Sequence, residues 1–369
     1  MSKIIDPSQE GAVRVRYGKA AQSREQALCC PVDYDPRYLE AIPAEVIERD
    51  YGCGDPSRYL KPGETVLDLG SGTGKICFIA SQVVGAEGRV IGVDMTDDML
   101  DVAREAAPEV AENIGFANVS FRKGRIQDLK LDLDDLEKSL SEHPVGDANG
   151  FLELEERVER LRSEQPMIED NSIDAIVSNC VLNLVDADKK RLMFSELFRV
   201  LKVGGRAVIS DIVSDQSVTE EMMQDTELWS GCLSGAMTES DFLEAFEEAG
   251  FYGIRFRKFD VEPWRVIDGV VFRSVTVEAF KGVSDDSEEA AVCEAIYQGP
   301  FKAIQDEDGQ IWERGDRSKI GKAAFERLKA SPYGDSFAFL GIGGSDSPQI
   351  QYQAVSANSS TCCSDDSCC

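Results

Sequence analysis

The chain is predicted to be an α/β protein: a doubly wound, mostly parallel sheet with an antiparallel edge strand, plus a small C-terminal α+β domain. Three observations predict it. Apolar strand-like runs alternate with helical patterns between residues 61 and 283, as in successive βαβ units. A glycine-rich turn, "GSGTGK", joins the first run to the first helix of that series. The last two runs, "GIRFRKFDV" and "VVFRSVTVEAF", follow closely with no helix between them, so they return antiparallel.

In chain order, residues 1–60 form an irregular lead segment with short helices, expected to cover the active site. "TVLDL" is the first strand, "KICFIASQVV" a helix stopped by Gly85, and "GRVIGVD" the second strand. "TDDMLDVAREAA" opens with Thr96 as N-cap and acidic residues in its first turn. "NVSFRKG" and "IDAIVSN" are strands three and four. Between them, residues 128–170 are an acidic insertion with two helical stripes, Leu133–Leu136–Leu140 and Leu154–Val158–Leu161, expected as a solvated pair on the rim of the sheet. "KKRLMFSELFRVLK" places Phe194, Leu197, Phe198 and Leu201 on one helical face, and "GGRAVISDI" is the fifth strand. "TESDFLEAFEEAG" carries a capping pattern, Thr238 with Asp241. "VSDDSEE" reads as a linker, residues 290–345 as a small separate domain with a turn at Asp308-Gly309, and residues 346–369 as a flexible cysteine-rich tail.

The net charge of −29 argues against nucleic acid and anionic membrane as partners and fits a well-solvated surface. No signal peptide and no run of about 20 apolar residues is apparent, so a soluble, cytoplasmic protein is expected. The single histidine, His143, lies in a polar stretch, which excludes histidine-rich metal sites and a Ser–His–Asp mechanism. Eleven cysteines at irregular spacings fit neither a disulfide framework nor paired zinc ligands; thiols in a reducing compartment suggest redox exchange or soft-ion binding.

The glycine loop carries Asp68, Gly70, Gly72 and Gly74, and Asp94 ends the next strand. A loop between strand and helix, with an acidic residue closing the second strand, suits an adenosine cofactor whose ribose hydroxyls the carboxylate accepts. The Gly-x-Gly-x-Gly form after an acidic residue resembles the first motif of class I (Rossmann-like) methyltransferases using S-adenosylmethionine. That resemblance implies methionine contacts at Asp68 and the glycines, adenine contacts at Arg125, Ile126 and Gln127 of "KGRIQDL", and further cofactor contacts at Met95 and Asn179.

Cysteines recur where the topology borders the acceptor pocket. Cys180 ends strand four, Cys232 follows strand five in "LWSGCLSGAM", and Cys53 sits among glycines in "YGCGDP" of the lead segment. These three are expected to converge. Three thiols without histidine select a soft ion of trigonal preference, and beside a methyl-donating sulfonium trivalent arsenic fits. Its lone pair is the nucleophile, so no general base is required. Cys77, with apolar neighbours in "KICFIASQ", and Cys293 read as core residues.

The combination of "YGKAAQ" (17–22), "YGCGDP" (51–56), "VLDLGSGTGK" (66–75), "IGVDMT" (91–96), "SNCVLNLV" (178–185), "FRVLKVGG" (198–205) and "LWSGCLSGA" (228–236) resembles arsenite S-adenosylmethionine methyltransferases across roughly residues 14–280. The tail "CCSDDSCC" resembles the cysteine-rich ends of that family. The resemblance implies that Cys180 and Cys232 hold arsenic during transfer, that Cys53 is the third ligand, and that Cys53 pairs as a disulfide with an N-terminal cysteine. Cys29 matches that position better than Cys30, and the doublet leaves both open. Gly231 stands where the family often carries an acidic residue. Arsenite or its glutathione adduct is the implied substrate, and thioredoxin or glutathione the reductant. A sterol- or quinone-type C/O-methyltransferase would share the glycine loop without needing the three cysteines; a thiol-based metalloid-binding protein would need no methyl donor.

Overall fold

The computed structural model describes residues 9–22, 25, 32–49, 51–282 and 291–341. It contains two compact units, Met1–Val283 and Ser284–Cys369. The lead segment thus belongs to the same unit as the sheet.

The first unit opens with helices α1 (Gln9–Ala20), α2 (Pro36–Leu39) and α3 (Ala44–Glu48). The alternation β1 (Thr65–Leu69), α4 (Lys75–Val84), β2 (Arg89–Asp94), α5 (Asp97–Ile114), β3 (Val119–Lys123) follows. Helices α6 (Leu133–Glu142) and α7 (Ala148–Glu164) precede β4 (Ile173–Asn179), α8 (Ala187–Val200) and β5 (Leu201–Ser214). The remainder is α9 (Glu220–Gln224), α10 (Thr226–Ser230), β6 (Met237–Thr238), α11 (Glu239–Glu248), β7 (Phe251–Phe259), β8 (Arg265–Ile267) and β9 (Val270–Lys281).

The sheet order is β3-β2-β1-β4-β5-β9-β7, with β6 beside β5 and β8 beside β9. Strands β1 to β5 pair parallel, and β9 runs antiparallel between β5 and β7. Central parallel strands are covered on both faces and so are apolar throughout; Val66, Leu67 and Leu69 of β1 are fully buried. One face packs Phe194, Phe246 and Phe251 edge to face. The chain order changes direction between β1 and β4, and a crevice opens there at the strand C-termini.

Local signals behaved unevenly. Thr238 caps α11, accepting from Asp241 N at 3.1 Å. Thr96 occupies the N-cap position of α5 but its side chain makes no capping bond. The helical face read through Leu201 stops at Val200, because Leu201 is drawn into β5 opposite Ile173. Neither α6 nor α7 buries a residue fully, and their caps are Asp132 and Asp147.

The second unit comprises β10 (Cys293–Tyr297), β11 (Ala303–Gln305), β12 (Ile311–Glu313), β13 (Arg317–Ile320), α12 (Lys322–Lys329) and β14 (Phe337–Gly341). Its antiparallel sheet runs β13-β10-β14, and β11 and β12 form a hairpin whose turn holds Gly309 at φ +78°. Cys293 is fully buried beside Tyr297, Trp312 and Phe337 in its core. Among the described residues no helix is long and apolar enough to cross a membrane.

Candidate functional site

A cavity fills the crevice. Its floor comes from the ends of four strands and the turns that follow them: Asp68, Gly70, Ser71 and Gly72 at β1; Asp94, Met95 and Thr96 at β2; Gly124, Arg125, Ile126 and Gln127 at β3; Asn179 and Cys180 at β4. Helix α1 lines it with Glu10, Val13 and Tyr17. The glycine loop must take positive φ. Gly70 lies at +68°, and a Cβ there would collide with Val181; Gly72 lies at +52°, and a Cβ there would enter open space. Gly72 N and Thr96 N donate to the two oxygens of Asp94 at 2.9 and 2.8 Å, while burial pushes the Asp94 carboxyl up. Ser71 lines the cavity, while its Oγ is buried on the side of Gly92 and has no hydrogen-bond partner.

Two expectations need correction here. Gly74 is not among the cavity-lining residues; it caps α4 at φ +91°, where a Cβ would lie 2.8 Å from Phe121 Cζ, so it serves close helix–sheet packing. Cys77 does not have only apolar neighbours: its Sγ donates to Asp68 Oδ2 at 3.1 Å. Arg125 reaches the cavity already paired with Glu10 of α1 at 2.8 Å.

The cysteines of the two strand-exit loops and the lead segment do converge. Cys53, Cys180 and Cys232 share one buried cluster. Cys180 also lines the cavity, whereas Cys53 and Cys232 lie outside its lining. Cys180 and Cys232 both adopt the left-handed region, at φ +65° and +62°. That conformation is costly for a residue with a Cβ and persists where surroundings over-determine it.

Those surroundings are polar and specific. Asn179 Oδ1 accepts from Cys53 N at 2.9 Å and Gly54 N at 3.0 Å, and its Nδ2 donates to Gly54 O at 2.7 Å. A Cβ on Gly52 would collide with Asn179, so the glycine lets this clamp close. Ser274 Oγ donates to Cys53 O at 2.7 Å. Cys232 Sγ donates to Cys180 O at 2.9 Å, and Asn183 Nδ2 reaches both Asp211 Oδ1 at 2.9 Å and Cys232 O at 3.2 Å. Asp211 Oδ2 also accepts from Leu182 N at 2.9 Å. One carboxylate and one amide therefore hold both cysteine loops.

The electrostatics keep the Cys53 and Cys180 thiols protonated. Burial pushes the Cys53 thiol up, and hydrogen bonding of the Cys180 thiol, as donor, to Cys232 and Cys53, with burial, pushes Cys180 well above its ordinary value. Burial also pushes Asp211 up to about 6 and Lys190 down to about 8. Among the described residues no three His, Cys, Asp or Glu side chains stand ready to hold a metal ion. The three cysteines meet as a hydrogen-bonded thiol cluster instead. Cys29, Cys30 and the tail cysteines lie outside the described residues.

Sequence reasoning missed Tyr17, Ser71, Asn183, Asp211 and Ser274. Asp211 had a signal: it is an acidic residue inside an otherwise apolar strand, "AVISDIV". Tyr17 opens the stretch "YGKAAQ", but its place beside the cysteines depends on how α1 folds over the crevice.

A family model described as a methyltransferase domain matches residues 60–161 and 148–250, two stretches that meet inside the acidic insertion. A second model, a domain of unknown function (DUF8838), matches residues 280–365. The arsenite methyltransferase of Aquipseudomonas alcaligenes is 31% identical over 350 residues, covering 89% of this chain and 90% of its own. That of Halobacterium salinarum is 35% identical over 69% of this chain, which spans 56% of that relative's length. The solved structure of an arsenic (III) S-adenosylmethionine methyltransferase from Chlamydomonas reinhardtii superposes with TM-score 0.55 at 26% identity, covering 85% of this chain and 97% of its own. A class I methyltransferase sheet, a glycine cradle beside a buried thiol cluster, and an arsenite methyltransferase 31% identical and matched over 90% of its length place this chain in the arsenite methyltransferase family.

Proposed function

We propose that the protein methylates trivalent arsenic held on Cys53, Cys180 and Cys232, with S-adenosylmethionine in the adjoining cavity. The observation that carries this reading is the position of Cys180, which belongs to the thiol cluster and to the cavity wall at once. The cavity suits the cofactor. Asp94 offers a carboxylate for ribose hydroxyls, and Gly72 leaves space a side chain would fill. Asp68, Gly70, Met95, Arg125, Ile126, Gln127 and Asn179 would complete the contacts.

The thiols do the substrate chemistry. Arsenite carries three hydroxyl groups; each thiol that binds gives its proton to a departing hydroxyl, releasing water. Exchange therefore needs no thiolate and no general base, which agrees with the raised Cys53 and Cys180 pKa values. S-Adenosylmethionine, when bound, supplies an electrophilic methyl carbon open to the arsenic lone pair. The left-handed cysteine loops fix where that lone pair points, and such orientation supplies roughly 7–11 kcal/mol of a barrier when geometry is right.

Methylated arsenic is pentavalent and cationic. A fourth thiolate, Cys29 by family resemblance, attacks the sulfur of Cys53, leaving the As–S electron pair on arsenic. The products are a Cys29–Cys53 disulfide and trivalent methylated arsenic on Cys180 and Cys232. Glutathione or thioredoxin then reduces the disulfide, which accords with a cytoplasmic enzyme. Residues 1–60 act as the cover of the site, 61–283 as the transferase body, 290–345 as an accessory domain and 346–369 as a thiol-bearing tail.

The test is chromatographic speciation of arsenic after incubation with arsenite, S-adenosylmethionine and a thiol. Methylated arsenicals should form, and should vanish in Cys180→Ser. A triple cysteine-to-serine variant that still methylates a carbon acceptor, with no arsenic product from the parent, would refute the proposal.

A further inference from the structure

Tyr17 is the one residue of α1 whose polar group reaches the thiol cluster. Its Oη lies 3.8 Å from Cys232 Sγ, and its ring lines the cofactor cavity. The ring is held edge-on against Tyr51, with centroids 6.3 Å apart. The neighbouring Arg16 anchors the helix to α10 through Glu227 O at 2.7 Å and Ser230 Oγ at 2.9 Å. Cys232 has one thiol proton, and Cys180 O, at 2.9 Å, takes it. The hydroxyl of Tyr17 is therefore the donor toward sulfur. Burial and the adjacent Cys232 and Cys180 keep that phenol protonated.

We infer that Tyr17 is a positioning residue that hydrogen-bonds Cys232 Sγ and makes Cys232 the sulfur that releases arsenic. An As–S bond breaks with its electron pair on sulfur. A fixed O–H donor stabilises that developing charge, and hydrogen bonds to charged groups are stronger than neutral ones. Cys53 has no phenol beside it: its neighbouring donors are the Cys180 thiol, which loses its proton once arsenic is bound, and Ser274, whose hydroxyl donates to Cys53 O at 2.7 Å. The three thiols thus differ in how readily they let go. This role rests on the proposed arsenic site.

The test uses phenylarsine oxide, which bridges two thiols, loaded on the full-length protein and then removed by a small dithiol. The incoming dithiol replaces Cys180 and Cys232 on arsenic, its two protons passing to the departing sulfurs, with no change in oxidation state. Release is followed by tryptophan fluorescence, since Trp229 is buried three residues from Cys232. Tyr17→Phe should release the probe roughly five- to tenfold more slowly, with unchanged S-adenosylmethionine affinity. An isosteric 3,5-difluorotyrosine at position 17, a stronger donor, should release it faster. The direction is diagnostic, because merely loosening α1 would speed release in both. Tyr17→Phe releasing at the parental rate or faster overturns the role of Tyr17 alone. A parent that does not capture the probe on Cys180 and Cys232 overturns the proposed arsenic site and this role with it.

Discussion

Asn179→Ala isolates the clamp that holds Cys53 in the site. Asn179 is 7% exposed, and its amide satisfies Cys53 N, Gly54 N and Gly54 O. Gly54 O keeps a second donor, Tyr34 Oη at 3.1 Å, so truncation orphans two buried N–H groups. Each costs about 1–3 kcal/mol when left unmade, so docking of the Cys53 loop should weaken by at least about 2 kcal/mol, roughly 30-fold. The Cys180–Cys232 pair does not depend on that amide, since Asn183 and Asp211 hold it. Alkylation and mass spectrometry after arsenite loading should show three protected thiols in the parent and two in the variant. Methylation of arsenite should fall steeply, while methylation of monomethylarsenite, with only two exchangeable positions, is largely spared. Asn179→Asp keeps the accepting oxygen and should lose less. Three protected thiols and a parental melting temperature in Asn179→Ala would refute the clamp.

Three further outcomes are expected. Gly72→Val should abolish S-adenosylmethionine binding in calorimetry while sparing arsenite binding, because its side chain enters the open cavity from a backbone at φ +52°; unchanged cofactor affinity would remove the glycine cradle from the site. Cys180→Ser should melt near the parental temperature and bind cofactor, yet methylate neither arsenite nor monomethylarsenite, since a hard oxygen donor suits arsenic poorly; near-parental turnover of monomethylarsenite would return Cys180 to packing. Asp211, raised to about 6 from an ordinary 3.8, binds its proton more tightly folded than unfolded. Its contribution to stability therefore falls as pH rises between about 4 and 6. Denaturant titrations across that window should show the parent losing stability relative to Asp211→Asn, and parallel curves would show that the carboxyl titrates normally.

What was legible in the sequence followed short-range rules. The alternating strands and helices, the stop at Gly85, the cap at Thr238 and the antiparallel return all depend on neighbours a few residues away. The convergence of the three cysteines was also legible, because strand exits in a parallel sheet share one edge. Other assignments depended on contacts distant in sequence. Gly74 looks like a cradle glycine but faces Phe121, and only the sheet order brings that ring to it. Asn179 stands at a strand end bordering the cavity, but the grip of its amide on a loop 126 residues away was not legible. Helix α8 ended at Val200 although its apolar spacing continued, since strand pairing claimed Leu201.

The buried, protonated state of the Cys53 and Cys180 thiols has a consequence for selectivity among toxic elements. A thiophilic divalent cation such as zinc or cadmium brings no base of its own. To bind here it must expel each thiol proton to solvent from a group that burial makes reluctant to ionise, and its affinity then rises with pH by up to tenfold per unit for each proton lost. Arsenite arrives with hydroxyl groups that accept those protons as water, so its capture is nearly indifferent to pH. The same cluster that would be a poor cation chelator at neutral pH is thereby a good trap for a neutral hydroxide of a soft element. Competition between arsenite and cadmium, repeated at two pH values, would read that proton balance directly.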